Sequence, residues 1–149
     1  MLLRIDHVGV ACVSLEAAIE RYTSVFGLAV VSRETNEEQG VREAMLAVGG
    51  ARPAAAAAGA TRPGYVQLLE PLGPDTPVGR FLTRRGEGLH HIGYGVDDIA
   101  AALAEIGGLG VRLLDQRPRH GSMGASIAFL HPADLGGVLT ELVQAADPA

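Results

Sequence analysis

Two histidines at matching positions of a repeated segment are the first residues here whose type and spacing indicate chemistry. His7 lies in DHVGV (Asp6–Val10) and His91 lies in HHIGY (His90–Tyr94), and aligning the two segments pairs these histidines. A single histidine in an apolar strand is more often structural than a ligand. Two histidines in a duplicated module would face each other after pseudo-twofold packing, where a metal ion is the simplest use for them. The pair therefore predicts a metal site.

Polar residues in two later apolar segments extend this ligand set. Glu141 stands between apolar residues in GVLTELV, where a bound cation would compensate an otherwise costly buried carboxylate. In the corresponding segment YVQLLE, the equivalent polar residue is Gln67 or Glu70. Gln67 is preferred because it lies in mid-strand, whereas Pro71 directly follows Glu70. The competing interpretation is that Gln67 only bonds a neighbouring side chain.

These residue types also restrict the ion. Two imidazoles, a carboxylate and an amide oxygen form a borderline-to-hard set, which suits an octahedral divalent ion with two open coordination sites. Ligand identity does not separate cobalt, manganese, zinc, nickel and iron. We expect one divalent ion per chain.

The elements that must position these residues repeat as well. Ser14 and Asp98 each lie seven residues after the paired histidines, and both residue types cap helices. Apolar residues at helical spacing follow each cap, and glycines suited to a helix end close the two patterns at Gly27 and at Gly107 or Gly108. Three strand-like segments then follow in each half: Gly27–Arg33, Val41–Val48 and Tyr65–Glu70, then Gly108–Leu114, Ala125–His131 and Gly137–Val143.

Each half therefore reads β-α-β-β-β, and one such half buries too little apolar surface to stand alone. The predicted fold is α+β: two tandem βαβββ modules forming a curved, cupped mixed sheet with helices outside. The predicted boundaries are 1–72 for the first module, 73–86 for a linker and 87–149 for the second module. In the linker, Thr76 would cap a short helix, Pro77 would begin it and Gly86 would end it. Ala51–Gly64 is interpreted as a low-complexity surface loop.

Composition excludes several classes of protein. The chain has 149 residues and a net charge of -5, which argues against a general nucleic-acid binder. The absence of lysine excludes Schiff-base chemistry, and the single Cys12 excludes an intramolecular disulfide and a cysteine-rich zinc site. With neither a signal peptide nor a membrane-length apolar run, the expected location is the cytoplasm, with no membrane partner.

The sequence resembles the vicinal oxygen chelate superfamily and, within it, the methylmalonyl-CoA epimerase family. The resemblance covers nearly the whole chain, and the run from Leu68 to His91 and the ending FLHP…GGVL.EL are its most specific parts. Five segments carry it: DHVGVA (Asp6–Ala11), EEQGVREAML (Glu37–Leu46), QLLEPLGPDTPVGRFL (Gln67–Leu82), GEGLHHIGYGVDDI (Gly86–Ile99) and FLHPADLGGVLTELVQ (Phe129–Gln144). Two features depart from it: the length of the alanine-rich loop and His120 where an apolar residue is expected.

The resemblance implies metal-dependent epimerisation of (R)- and (S)-methylmalonyl-CoA through a metal-stabilised enolate. It makes Glu43 the base that removes the α-proton, with Glu141 or a water serving the opposite face. The implied metal ligands are His7, Gln67, His91 and Glu141, with Co2+ expected first and Mn2+, Zn2+ or Ni2+ as alternatives. It also implies a homodimer.

A glycine-containing loop is the expected contact for the coenzyme A thioester. Gly121 and Gly124 would let backbone amides approach the ligand, and we expect Gly121 and Ser122 to bind substrate. Nearby arginines offer local positive charge despite the acidic total: Arg112, Arg117 and Arg119.

Two alternatives remain open. One is another metalloenzyme of the superfamily, such as a glyoxalase or an extradiol dioxygenase. The other is a metal-free small-molecule-binding protein of the same fold, against which the retained histidines and Glu141 count.

Overall fold

The computed structural model describes residues 1–49 and 62–147, and the chain forms two compact units. One unit combines Met1–His7 with His91–Ala149, and the other is Val8–His90. The first strand, β1 (Leu2–Ala11), contributes residues to both units. Of the predicted surface loop Ala51–Gly64, residues 51–61 lie outside the described residues. The predicted module boundaries at 72, 73–86 and 87 stay a prediction.

The unit Val8–His90 pairs its strands in the order β2-β3-β4-β1. Its elements after β1 are α1 (Leu15–Phe26), β2 (Ala29–Asn36), β3 (Val41–Ala47), β4 (Tyr65–Pro71), α2 (Pro77–Arg85) and the start of β5 (Gly88–Val96). Strand β3 is antiparallel to both β2 and β4. Buried faces of α1, β3 and β4 form its main apolar cluster: Cys12, Leu15, Ala18, Ile19, Ala44, Leu46 and Leu68.

The other unit orders its strands β1-β5-β8-β7-β6. After β5 it contains α3 (Ile99–Gly108), β6 (Arg119–His120), β7 (Ser126–Leu130) and β8 (Thr140–Gln144). Strand β8 is parallel to β5 and antiparallel to β7, so the sheet is mixed. Its apolar cluster joins α3 to these strands: Val96, Ile99, Ala102, Leu103, Ile106, Ala128, Leu130 and Leu142.

The predicted helix ends follow from local chemistry. Ser14 and Asp98 accept hydrogen bonds from the third residue beyond them, at 3.2 Å and 2.9 Å. Gly27 ends α1 at a φ of 67°, a left-handed conformation that suits glycine. Thr76 caps α2, Pro77 begins it and Gly86 follows it. The predicted α+β class with two helix-bearing halves is confirmed.

The predicted strand Gly108–Leu114 is wrong. Helix α3 extends to Gly108, and the residues after it make only an isolated bridge between Leu113 and Leu130. The strand of this half is β6, which is two residues long and pairs Arg119 with Ile127. No helix among the described residues is long and apolar enough to span a membrane.

Candidate metal centre

Three buried side chains converge in the unit formed by Met1–His7 and His91–Ala149. His7 comes from β1, His91 from β5 and Glu141 from β8, and each is less than 5% exposed. The two Nε2 atoms are 2.9 Å apart, Oε1 of Glu141 lies 3.5 Å from His7 Nε2, and Oε2 lies 3.4 Å from His91 Nε2. We call these three residues the triad.

The spacing of the triad fits a divalent ion. Ligands about 2.1 Å from a metal are roughly 3.0 Å apart at octahedral angles and roughly 3.4 Å apart at tetrahedral angles. The three observed distances, 2.9, 3.4 and 3.5 Å, fall at these values. Two imidazole nitrogens that both presented lone pairs at 2.9 Å would repel unless a cation or a proton lay between them. A set of two histidines and one carboxylate is a known arrangement for divalent metals.

Strand β5 has a glycine, Gly93, at the position against which the ring of His7 packs. A Cβ added at Gly93 would lie 2.3–2.8 Å from three atoms of that ring. Gly93 also pairs with Glu141 across the parallel β5–β8 register, so the glycine lies beside two members of the triad. Phe129 pairs with Glu141 from β7, and its ring meets His91 edge-on at 5.4 Å. These contacts restrict the triad on both sides.

Asp6 contacts the Nδ1 atom of His7, and Arg4 contacts Asp6. Asp6 Oδ2 is 2.9 Å from His7 Nδ1, and Arg4 donates to Asp6 Oδ1 at 2.8 Å. Burial raises the pKa of Asp6, but the hydrogen bonds and charges of His7 and Arg4 outweigh it and hold the pKa below its usual value. Asp6 is therefore a carboxylate at neutral pH.

His90, next to the ligand candidate His91, has a different environment. Its ring packs edge-on against Phe81 of α2 at 4.9 Å, within the unit Val8–His90. Burial lowers the pKa of His90 to about 4, so the ring is neutral at pH 7. In HHIGY, the second histidine joins the triad and the first packs on an aromatic ring.

Glu43 and Gln67 lie together in the unit Val8–His90, on the neighbouring strands β3 and β4. Both are buried, and Gln67 Nε2 donates to Glu43 Oε2 at 2.7 Å. A carboxylate accepts hydrogen bonds, so it fixes the amide nitrogen toward Glu43. Gln67 would consequently ligate a metal through its oxygen, which is the amide atom that metals bind.

Glu70, the alternative fourth ligand, has a structural role. Its Oε2 accepts from the backbone N–H of Leu15 at 2.7 Å, at the first residue of α1, and Arg42 bonds its other oxygen. In the other unit, Gln144 accepts from the backbone N–H of Ile99 at 2.9 Å, at the first residue of α3. The last strand of each half thus holds the start of its own helix through one polar side chain.

The predicted substrate-binding residues lie in the loop between β6 and β7. Gly121 is buried, its N–H donates to the carbonyl of Ala125 at 2.9 Å, and a Cβ there would lie 2.5 Å from Ile127. Ser122 begins a short 3-10 turn in which Met123 adopts a positive φ of 54°. The amide of Gly121 is thus engaged within the loop, whereas its carbonyl and the side chain of Ser122 stay candidate contacts.

The arginines beside this loop are held by carboxylates. Arg112 makes a two-point contact with Asp134 at 2.9 and 3.0 Å, and Arg119 pairs with Asp115 at 3.0 Å. These pairs reduce the positive charge that Arg112 and Arg119 were expected to offer a phosphate.

Sequence reasoning assigned no role to Arg4, Asp6 or Gly93. The signal was present: a basic and an acidic residue stand within three residues of the ligand candidate His7 in a strand that is otherwise apolar. Buried charges in such a strand require a partner, and His7 is the nearest. The requirement for glycine at position 93 depends on how β1 and β5 pack, which the sequence pattern does not encode.

Comparison with known proteins agrees with this fold. A family model described as the Glyoxalase/Bleomycin resistance protein/Dioxygenase superfamily matches residues 6–129. A variant of the Streptomyces coelicolor methylmalonyl-CoA epimerase, solved in complex with 2-nitronate-propionyl-CoA, is 48% identical with a TM-score of 0.88, covering 99% of this chain and 97% of that one. A solved methylmalonyl-CoA epimerase in complex with methylmalonyl-CoA and NH4+ is 49% identical with a TM-score of 0.88 and the same coverage.

A curated relative extends the similarity to another organism. The ethylmalonyl-CoA/methylmalonyl-CoA epimerase of Cereibacter sphaeroides is 33% identical over 146 residues, or 97% of this chain and 99% of the relative. The likeness therefore spans nearly the full length of both proteins.

Proposed function

The chain belongs to the glyoxalase/bleomycin resistance protein/dioxygenase superfamily, and from that premise we propose that it is an isomerase, a methylmalonyl-CoA epimerase. The observation that carries the proposal is the buried triad, whose spacing fits a divalent ion, in a chain 48% identical over its length to an epimerase that binds an acyl-CoA ligand. Epimerisation inverts the carbon between the carboxylate and the thioester of methylmalonyl-CoA. That requires removal of the α-proton and its return to the opposite face.

His7, His91 and Glu141 hold one divalent ion in this proposal, and Gln67 is its fourth ligand. The bound ion would act as a Lewis acid that stabilises negative charge on the substrate when the α-proton leaves. Co2+ is the expected metal, with Mn2+, Zn2+ and Ni2+ as alternatives. The two histidines and the carboxylate are each less than 5% exposed, so the ion would lie among buried ligands.

Glu43 is the proposed base. Its carboxylate is buried and accepts a hydrogen bond from the amide of Gln67, which orients it. A carboxylate held in this way can act as a general base toward the α-proton. Glu141 or a water is proposed to serve the second face.

Gly121 and Ser122 are proposed to contact the substrate, methylmalonyl-CoA. The proposed assembly is a homodimer in the cytoplasm, without nucleic-acid or membrane partners.

The test is solvent exchange. Metal-loaded protein is incubated with methylmalonyl-CoA in deuterated water, and the substrate mass is followed together with dissolved oxygen. We expect the mass to rise by one deuterium while oxygen stays constant, because the α-proton is exchanged and no bond to oxygen forms. The His91→Ala variant serves as the control and should exchange no faster than buffer. Absence of exchange in the metal-loaded wild type would overturn the proposal, and oxygen uptake would favour a dioxygenase.

A further inference from the structure

We infer that Asp6 and Arg4 are positioning residues for His7: they keep the ring proton on Nδ1 and thereby direct the lone pair of Nε2 into the triad. The inference rests on the metal centre proposed above and extends it to residues that are not ligands. All three side chains belong to the unit that contains the triad.

The contact between Asp6 and His7 determines where the ring proton lies. Oδ2 of Asp6 is 2.9 Å from Nδ1 of His7. An ionised carboxylate only accepts hydrogen bonds, so Nδ1 must be the protonated nitrogen. On a neutral ring the lone pair is then on Nε2, the atom 2.9 Å from His91 and 3.5 Å from Glu141. A carboxylate that bonds the distal nitrogen of a ligating histidine also makes that histidine a stronger donor.

Arg4 fixes the carboxylate in turn. It donates to Oδ1 of Asp6 at 2.8 Å, so the two oxygens of Asp6 bond different partners and the carboxyl group cannot rotate without losing both. Exposure falls from 23% for the side chain of Arg4 to 8% for Asp6 and 3% for His7. The network thus runs from the surface to the buried ligand, with the guanidinium balancing the carboxylate charge.

Two glycines of β5 accommodate this network. A Cβ at Gly95 would lie 2.7–3.0 Å from three guanidinium atoms of Arg4, and one at Gly93 would lie 2.3–2.8 Å from the His7 ring. Gly95 lacks a positive φ, so the backbone there would accept other residues, and a larger side chain would instead move the Arg4 guanidinium. Both ends of the network therefore have dedicated space on the same strand.

The proton on His7 can be read directly. Metal-free wild-type protein with 15N-labelled histidines is studied at pH 8 by long-range proton–nitrogen NMR, and His7 is assigned by the loss of its signals in His7→Asn. We expect a protonated Nδ1 and an unprotonated Nε2. A wild-type His7 protonated only on Nε2 would overturn the inference.

Metal affinity measures the consequence. With Co2+ alone as the probe, Asp6→Asn should bind about 10- to 100-fold more weakly, the usual cost of losing such a carboxylate. Asparagine can present either an oxygen or an NH2 group, so it no longer selects the tautomer. Asp134→Asn is the matched control, because it removes another arginine–aspartate pair of the same unit that does not touch the triad. Equal affinities in the two variants would refute the positioning role.

A second variant guards against misfolding of Asp6→Asn. Gly95→Ala keeps Arg4, Asp6 and His7 in the sequence but displaces the Arg4 guanidinium, and it should weaken Co2+ binding by a smaller factor than Asp6→Asn. Unchanged affinity in Gly95→Ala would remove Arg4 from the network. A wild type that bound no Co2+ would refute the proposed metal centre instead, while the metal-free NMR signal of His7 would still decide the role of Asp6.

Discussion

At the scale of single residues, the hydrogen bond between Gln67 and Glu43 makes Glu43→Gln an informative substitution. Glutamine can turn its oxygen toward Gln67 Nε2 and keep the 2.7 Å contact, but it cannot accept the α-proton. We expect metal content and substrate affinity to stay near wild type while deuterium exchange slows by about 10²–10⁴-fold, the usual effect of removing a general base. Exchange is measured by mass spectrometry and affinity by calorimetry.

The matched control for this change is Glu37→Gln, an exposed glutamate of the same unit. It should exchange at the wild-type rate. Full activity in Glu43→Gln would leave the epimerase proposal intact and exclude Glu43 as the base.

Gln67 and Glu141 occupy equivalent positions of the two halves but carry different charges. Removing the carboxylate in Glu141→Ala should abolish both metal binding and activity, as metal analysis after dialysis would detect. Gln67→Glu should retain the metal, because a carboxylate also ligates. It would, however, place a second carboxylate against Glu43, and two like charges at 2.7 Å disfavour joint ionisation. We therefore expect the acidic limb of its pH–rate profile to move to higher pH.

Gln144→Glu makes the same chemical change at the helix-holding position of the other unit. Its pH–rate profile should match the wild type. If the pH–rate profile of Gln67→Glu matched that of the wild type, residues 67 and 43 would not be in contact in the active protein.

At the scale of elements, Glu70 links β4 to the first residue of α1. Burial raises the pKa of Glu70, but the bonds from the Leu15 N–H and Arg42 outweigh it and lower the pKa from 4.5. A lowered folded-state pKa means that the charged group stabilises the fold above pH 4.5 and loses this effect as pH falls through the lower value. Glutamine can still accept from the Leu15 N–H, as Gln144 does from Ile99, but it lacks the negative charge. Glu70→Gln should thus destabilise by roughly 0.3–1 kcal/mol at pH 7, the typical worth of a negative charge at a helix N-terminus, and by less below pH 4.5.

Thermal unfolding of Glu70→Gln at several pH values checks this expectation. Glu16→Gln is the control, since it removes an exposed ion pair with Arg33 in the same helical turn and should change stability little. A destabilisation of Glu70→Gln that did not vary with pH would argue against the charge of Glu70 as its source.

Local chemistry explains which elements could be predicted from the sequence. The three helices were predicted because Ser14, Thr76 and Asp98 cap them through their own side chains, within three residues of the position that needs a partner. The strand Gly108–Leu114 could not be predicted correctly. Its apolar residues suit a strand, but strand formation requires a partner strand. Strand β7 pairs with this segment only at Leu113, and its regular pairing is with Arg119 and His120, further along the chain. Pairing across the fold overrode the local pattern.

At the scale of the whole molecule, duplication is what made the convergence of the two histidines predictable. The pairing of His7 with His91 follows from the repeated strand, and the structure places both with Glu141 in one unit. The symmetric roles of Glu70 and Gln144 follow from the same repeat. The network behind His7 has no such origin: His7 has Asp6 before it, whereas His91 has His90, which packs on Phe81. Asp6, whose counterpart in the second half is His90, is therefore a residue whose role a comparison of the two halves could not indicate.

The expected homodimer is the prediction that concerns the molecule as a whole. Strand β1 begins with apolar side chains that are exposed, and Leu3 and Ile5, which share a face by strand alternation, are 58% and 61% exposed. Covering such residues on association removes apolar surface from water.

We expect light scattering on a sizing column to give twice the chain mass of 15.4 kDa. Ile5→Glu should shift the population toward monomer, because a charge at the contact would be desolvated. Val25→Glu, a similarly exposed valine on α1, is the control and should stay dimeric. A monomeric wild type at the same concentration would refute the homodimer, and an unshifted Ile5→Glu would place the contact away from this end of β1.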